Sequence, residues 1–314
     1  MKRMNAGQVN WMFLAIFACY MAVTFGLNYY GQHGGRIGIY PVYLISELIF
    51  VVPAFLFAMR GKGSLRALLP IRKIRVSTAL MTVLFTFLCM PLTTVINGFT
   101  MFFVENTVAQ SSGQVTAMSF LTMFFLIAVY APVCEETVFR GITYESLKNG
   151  LNPFQAMCLS AVFFGLAHMN FNQAAYALIL GIILVLLREA AGSLLAPMLF
   201  HLVFNGYNVV LMYLADIMER AGGEETAETL QMLSGTQYRD YLLQYVSIIA
   251  VVALITTALA GCVLAWIAGN EGKKERIRTI WRERKLNRGK VLRLPFLLVL
   301  VLYVGMMFAD VFLS

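Results

Sequence analysis

Few side chains in this sequence can do chemistry, and they fall in three short stretches. Glu135-Glu136-Thr137-Val138-Phe139-Arg140 sets two adjacent carboxylates and a guanidinium directly after the apolar run from Ala117 to Cys134. Further on, Phe164-Gly165-Leu166-Ala167-His168 and His201-Leu202-Val203-Phe204-Asn205 place two of the three histidines in apolar sequence. An ionised side chain near the centre of a membrane helix costs roughly 2.5 to 3.5 kcal/mol on insertion scales, so charges at that depth require pairing or a task. Residues four apart share a helix face, which pairs Glu136 with Arg140 and lets His201 and Asn205 address a common point. Glu135 then points about 100° away from that pair. One carboxylate is structural and the other is free to react.

The elements that must carry these groups are membrane helices. The chain of 314 residues is 60% hydrophobic and 13% charged, with a mean hydropathy of +0.74. A soluble chain would carry about 25% charged residues. The net charge of +8 is read loop by loop rather than as a surface for nucleic acid, which is not expected as a partner. Cys19, Cys89, Cys134, Cys158 and Cys262 lie in apolar runs without metal-type spacing and read as small hydrophobes.

The expected fold is all-α, a polytopic membrane helical bundle of about eight to nine transmembrane helices. The polar site belongs to helices four, five and seven. Nine segments approach the roughly 20 residues that a spanning helix needs. They run from about Asn10 to Tyr30, Ile39 to Met59, Thr78 to Val104, Thr116 to Val133, Pro153 to His168, Ala174 to Leu187, Leu194 to Leu214, Tyr245 to Ala268 and Leu294 to Leu313. Lys2 and Arg3 precede the first, which reads as a retained signal anchor. Residues 1–314 are expected to form one membrane domain, with 132–208 as its motif core.

Loop charges support the count. Arg60, Lys62, Arg66, Arg72, Lys73 and Arg75 follow the second segment without an acid, and nine basic residues between Lys273 and Lys290 follow the eighth. Glu224, Glu225 and Glu228 belong to an acidic connection between the seventh and eighth. Lysine and arginine favour the cytoplasmic side, so alternation puts the N-terminus inside and the C-terminus outside, in what reads as a bacterial cytoplasmic membrane. The basic loop around Trp281 is either a surface helix on anionic lipid or a solvated, orienting loop.

Hairpin arithmetic brings the stretches together. A turn at about Asn149 to Asn152 leaves Glu135 and His168 each ~21 to 24 Å from it, and a break near Gly192 leaves His201 ~14 Å and Asn205 ~20 Å in. Four polar groups from three helices then meet in one layer. The shortness of segments five and six suggests a cavity open to the cytoplasm. Phe164 reads as packing and Pro132 as a kink beside the site.

Glu135-Glu136-x-x-x-Arg140, Phe164-x-x-x-His168 and His201-x-x-x-Asn205, in this order, resemble the three signature motifs of the CPBP family of intramembrane proteases. That family includes the type II CAAX prenyl endopeptidases and the bacterial Abi proteins linked to bacteriocin processing or self-immunity. The resemblance spans roughly Pro132 to Asn208. It implies that Glu135 is the general base for a water held by His168, and that His201 and Asn205 donate to the oxyanion. Glu136, Arg140 and Phe164 would support the site. It also leaves two options for a cofactor: none, or one divalent ion such as zinc on Glu135, His168 and His201. A glutamate-activated water needs no ion, and the chain has no His-Glu-x-x-His.

Two other classes compete. A proton-coupled or solute transporter would use Glu, His and Arg as an ion relay, but should mirror them in both halves, whereas the polar residues read as confined to segments four through seven. A catalytically silent immunity or scaffold protein would keep the same residues as a polar network. The expected partners are membrane lipids and a membrane-associated peptide or protein substrate. The oligomeric state is not legible.

Overall fold

The computed structural model describes residues 4–61, 64–221, 235–286, 289 and 294–313, and Lys2, Arg3, Lys62, Glu224, Glu225, Glu228, Arg288 and Lys290 lie outside them. Ten principal helices follow one another: α1 (Ala6–Gln32), α2 (Ile39–Arg60), α3 (Val76–Thr100), α4 (Phe120–Leu147), α5 (Pro153–Ala167), α6 (Phe171–Ala191), α7 (Leu195–Arg220), α8 (Gly235–Asn270), α9 (Lys274–Arg282) and α10 (Leu294–Leu313). Short helices at Leu65–Leu68 and Thr107–Thr116 lie in the connections around α3. The bundle is all-helical. Eight of these helices are long and apolar enough to cross a membrane, among the described residues.

Two do not: α9, with 9 residues, and α5, whose 15 residues span only ~22 Å. Its neighbours are protein on most sides, which lets a short helix end inside the bundle. Asn152 caps it, accepting from the Gln155 backbone at 2.8 Å, and Pro153 occupies the first helical position. The turn therefore falls where the sequence put it. The next helix, α6, is longer than expected, starting at Phe171 and ending at Ala191. It returns against α5 at very close range. A Cβ on Gly165 would stand 2.8 Å from the Ala174 carbonyl oxygen, and one on Gly181 2.7 Å from Ala161 Cα. Neither position has room for a side chain.

All the described basic connections converge on one end of the bundle. The Ser193 hydroxyl donates to the Arg72 carbonyl at 2.6 Å, and the Leu194 amide donates to Pro70 at 3.0 Å. Glu271 accepts from the Arg75 amide at 3.0 Å and from the Thr78 hydroxyl at 2.6 Å. Asn149 donates to Met4, and Asn152 to Arg284 and Leu286. The same end holds a buried ion network. Arg188 pairs with Glu145 and Glu189, Lys148 reaches them at 2.9 and 3.2 Å, and Arg276 of α9 reaches Glu189 at 3.3 Å. This clamps α4, α6 and α9 together. Ile280 is buried and Trp281 packs 5.7 Å from Phe154, so α9 is docked rather than free.

The first segment, expected as a retained signal anchor, packs into the core. Phe13 of α1 stacks on Phe163 of α5 with centroids 4.0 Å apart, and the Tyr303 hydroxyl of α10 donates to the Phe13 carbonyl at 3.2 Å. The five cysteines are free thiols.

Candidate active site

The backbone of α4 is not a uniform α-helix, and this irregularity shapes the site. Wider π-helical stretches at Phe125–Tyr130 and Thr137–Thr143 flank the α-helical Ala131–Glu136. In the first stretch the Ala131 amide bonds to Leu126, five residues back, and so is withdrawn from Ile127. The next amide that could serve Ile127 in π geometry belongs to residue 132, which is proline and has none. Asn205 of α7 supplies the missing donor, its Nδ2 reaching the Ile127 carbonyl at 2.9 Å. Pro132 thus does more than kink the helix: it creates a vacancy that ties α7 to α4. The second stretch is fastened to α5, where the Ser160 hydroxyl donates to the Phe139 carbonyl at 3.0 Å.

Glu136 and Arg140 form the expected pair, 2.8 Å apart and wholly buried. The Arg140 guanidinium also lies 4.0 Å above the Phe164 ring, a cation–π contact out of water. Phe164 meets His168 and His201 edge-on, at 4.9 and 6.0 Å between centroids. One aromatic ring therefore sets the position of three polar groups.

His201 stands between the two adjacent carboxylates. Its Nδ1 is 3.0 Å from Glu136 Oε1, the oxygen that also takes the Arg140 bond, and its Nε2 is 3.5 Å from Glu135 Oε2. A carboxylate paired with arginine accepts only, so Nδ1 carries a proton. The distance between Nε2 and Glu135 exceeds a direct hydrogen bond, so neither atom is committed to the other.

His168 caps α5 and bonds through Nδ1 to the Phe164 carbonyl at 2.9 Å. A carbonyl accepts, so Nδ1 is the protonated nitrogen and Nε2 is left as an acceptor. The turn that follows is tightly fixed. Met169 adopts φ 57°, a left-handed conformation costing roughly 1 to 2 kcal/mol, while Asn170 donates to the His168 carbonyl at 2.9 Å and caps α6.

Glu135, His168, His201 and Asn205 line one cavity of about 540 Å³. Within it, 19% of the Glu135 side chain is accessible, against none of Glu136. Two sequence expectations differ from this cavity. It extends from mid-depth toward Asn97, Asn106 and Asn208, at the end opposite the basic connections, and not toward them. Asn106 and Val108, at the start of the Thr107–Thr116 helix, are part of its lining there. Polar groups are also not confined to the fourth through seventh segments, because Glu47 of α2 lines the same cavity and is 9% exposed. The signal for Glu47 was a lone carboxylate in an apolar run, which membrane energetics alone marks as functional. Tyr43, Ser46, Thr93, Thr94, Gln173 and Tyr176 also line it and carry no sequence signal.

Among the described residues no group of three or more His, Cys, Asp or Glu is placed to hold a metal ion. Each histidine is bonded through Nδ1, His201 to Glu136 and His168 to the Phe164 carbonyl, which leaves Nε2 of each available to a water or an ion.

Comparison with known proteins bears on the same segment. Residues 116–207 match the family described as type II CAAX prenyl endopeptidase Rce1-like. The chain is also 26% identical over 113 residues to YdiL, named as a candidate membrane peptidase, of Bacillus subtilis (strain 168). These findings support a CPBP-family protease. The second match covers 36% of this chain, which spans about 45% of the length of that relative. No solved structure matches the chain. The matched segment runs from the end of the Thr107–Thr116 helix into α7, and so contains every residue of the three motifs.

Proposed function

We propose that this chain is an intramembrane endopeptidase that hydrolyses peptide bonds of membrane-associated proteins or peptides through a water activated by Glu135. The observation that carries this reading is the asymmetry of the adjacent carboxylates. Glu136 is buried against Arg140 and His201, whereas Glu135 reaches the cavity.

Glu135 takes a proton from a water whose other hydrogen is held by His168 Nε2, and the water oxygen attacks the peptide carbonyl carbon. The second N–H of the Asn205 amide and His201 Nε2 donate to the oxyanion. Because Nδ1 already carries a proton toward Glu136, His201 performs this role as imidazolium. Collapse of the tetrahedral intermediate returns the proton from Glu135 to the leaving nitrogen. No covalent intermediate forms, and no metal is required. Glu136, Arg140 and Phe164 position His201 and His168.

The basic end would face the cytoplasm, with the N-terminus inside and the C-terminus outside. The cavity then opens toward the other face, which favours substrates approached from that side or from within the bilayer. A second reading, a proton-coupled carrier, gains from Glu47, which brings a carboxylate from the first half of the chain to the same cavity. Comparing the membrane peptidomes of cells carrying the native chain and Glu135→Gln separates the two. Fragments lost in the variant support hydrolysis, and identical peptidomes accompanied by loss of solute uptake support the carrier.

A further inference from the structure

Glu47 takes no part in the hydrolysis just described, yet its carboxyl group lies on the same cavity. It sits in the apolar helix α2, and its Oε2 is buried without a hydrogen-bond partner among the described residues. A structural carboxyl in such a place would be paired, as Glu136 is with Arg140 and Glu189 is with Arg188. Glu47 has neither arrangement. Tyr43, Glu47 and Phe50 share one face of α2, with Ser46 beside them, and all four line the cavity. The lining contains no lysine or arginine, and its carboxylates are Glu47 and Glu135. Hydroxyl and amide groups from Thr93, Thr94, Asn97 and Gln173 make up much of the remaining polar surface.

Resting on the protease reading, we propose that Glu47 is a specificity-determining residue that pairs with a cationic group of the substrate, an ammonium or a guanidinium, in the segment seated in this cavity. The cation provides the partner that α2 and its neighbours do not. Phe50, on the same face, gives an apolar wall along which the methylene stem of a lysine or arginine can lie. The charge comes either from a side chain or from a free α-amino terminus.

The test uses the full-length protein in proteoliposomes and membrane-anchored peptides in which lysine is walked one residue at a time from the scissile bond. Each lysine peptide has a norleucine counterpart, and each is made with a free and an acetylated N-terminus. A charge-assisted hydrogen bond predicts that at one position lysine is preferred over norleucine by about 10- to 100-fold in kcat/KM. If instead acetylation abolishes the preference and lysine position has no effect, the cation is the terminus. Glu47→Gln is expected to bring the ratio close to one, and Glu47→Lys to turn the preference toward glutamate at the same position. Should Glu47→Gln fail to fold, Glu47→Asp carries the test, since a shorter carboxylate must shrink the ratio. A ratio unchanged by these substitutions, or a native enzyme that cleaves every peptide of the series without preference, overturns the assignment while leaving hydrolysis intact. A native protein that cleaves none of them overturns the protease reading and this proposal with it.

Discussion

The side-chain amide of Asn205 donates to the main-chain carbonyl of Ile127 across the interface between α7 and α4, at 2.9 Å. That carbonyl lacks a helical partner because the π-helical register points it at Pro132. Asn205→Ala should therefore destabilise the protein by about 1 to 3 kcal/mol, seen as a lower Tm in detergent. It should also reduce kcat by roughly 10²-fold or more if the same amide donates to the oxyanion. Pro132→Ala restores an amide at the right place, so the double variant should recover stability and stay slow. A double variant that recovers both would leave Asn205 a purely structural role.

Arg140 lies over Phe164 and against Glu136, both within the protein. Removing one member of a buried pair costs about 3 to 5 kcal/mol, so Arg140→Met should fail to fold or melt far below the native chain. Phe164→Leu keeps the pair and loses the cation–π contact, for which about 0.5 to 2 kcal/mol is expected. Thermal melts of the two purified variants order these effects. Equal losses would contradict the ranking.

Arg188 holds Glu145 and Glu189 at the basic end, well away from the cavity. Arg188→Met leaves Glu145 and Glu189 to Lys148 and Arg276 alone and should lower stability by about 1 to 3 kcal/mol. The kcat of the protein that remains folded should not change. Titrating active sites before measuring kcat separates the two quantities, and a selective loss of kcat would place this network in the mechanism.

A glutamate-activated water needs no ion, so on the proposed scheme peptide cleavage should survive prolonged treatment with EDTA. Metal content and rate are measured on the same sample. Loss of activity with stoichiometric loss of zinc, reversed by adding zinc, would contradict the metal-free scheme.

Helix order, the turn before Pro153 and the break at Gly192 were legible because caps, proline and glycine mark them locally, and apolar length marks the spans. The Glu136–Arg140 pair follows from i, i+4 spacing alone. What was not legible depends on packing between helices. The π-helical register of α4 shows only in the partners of Ala131, and Asn205 is tied to Ile127 by a contact 78 residues away in sequence. Glu47 was visible as a residue, but its place on the cavity required the packing of α2 against α4. Asn106 and Val108 reach the cavity from the Thr107–Thr116 helix, too polar and short to read as part of the bundle.

The central claim is that Glu135 and not Glu136 activates the water. The most direct measurement is kcat for a membrane-anchored peptide with the purified native chain and Glu135→Gln in proteoliposomes, alongside their melting curves. The account predicts that the variant melts with the native cooperativity and that kcat falls by about 10²- to 10⁴-fold. A folded Glu135→Gln variant that cleaves the peptide at the native rate would contradict it.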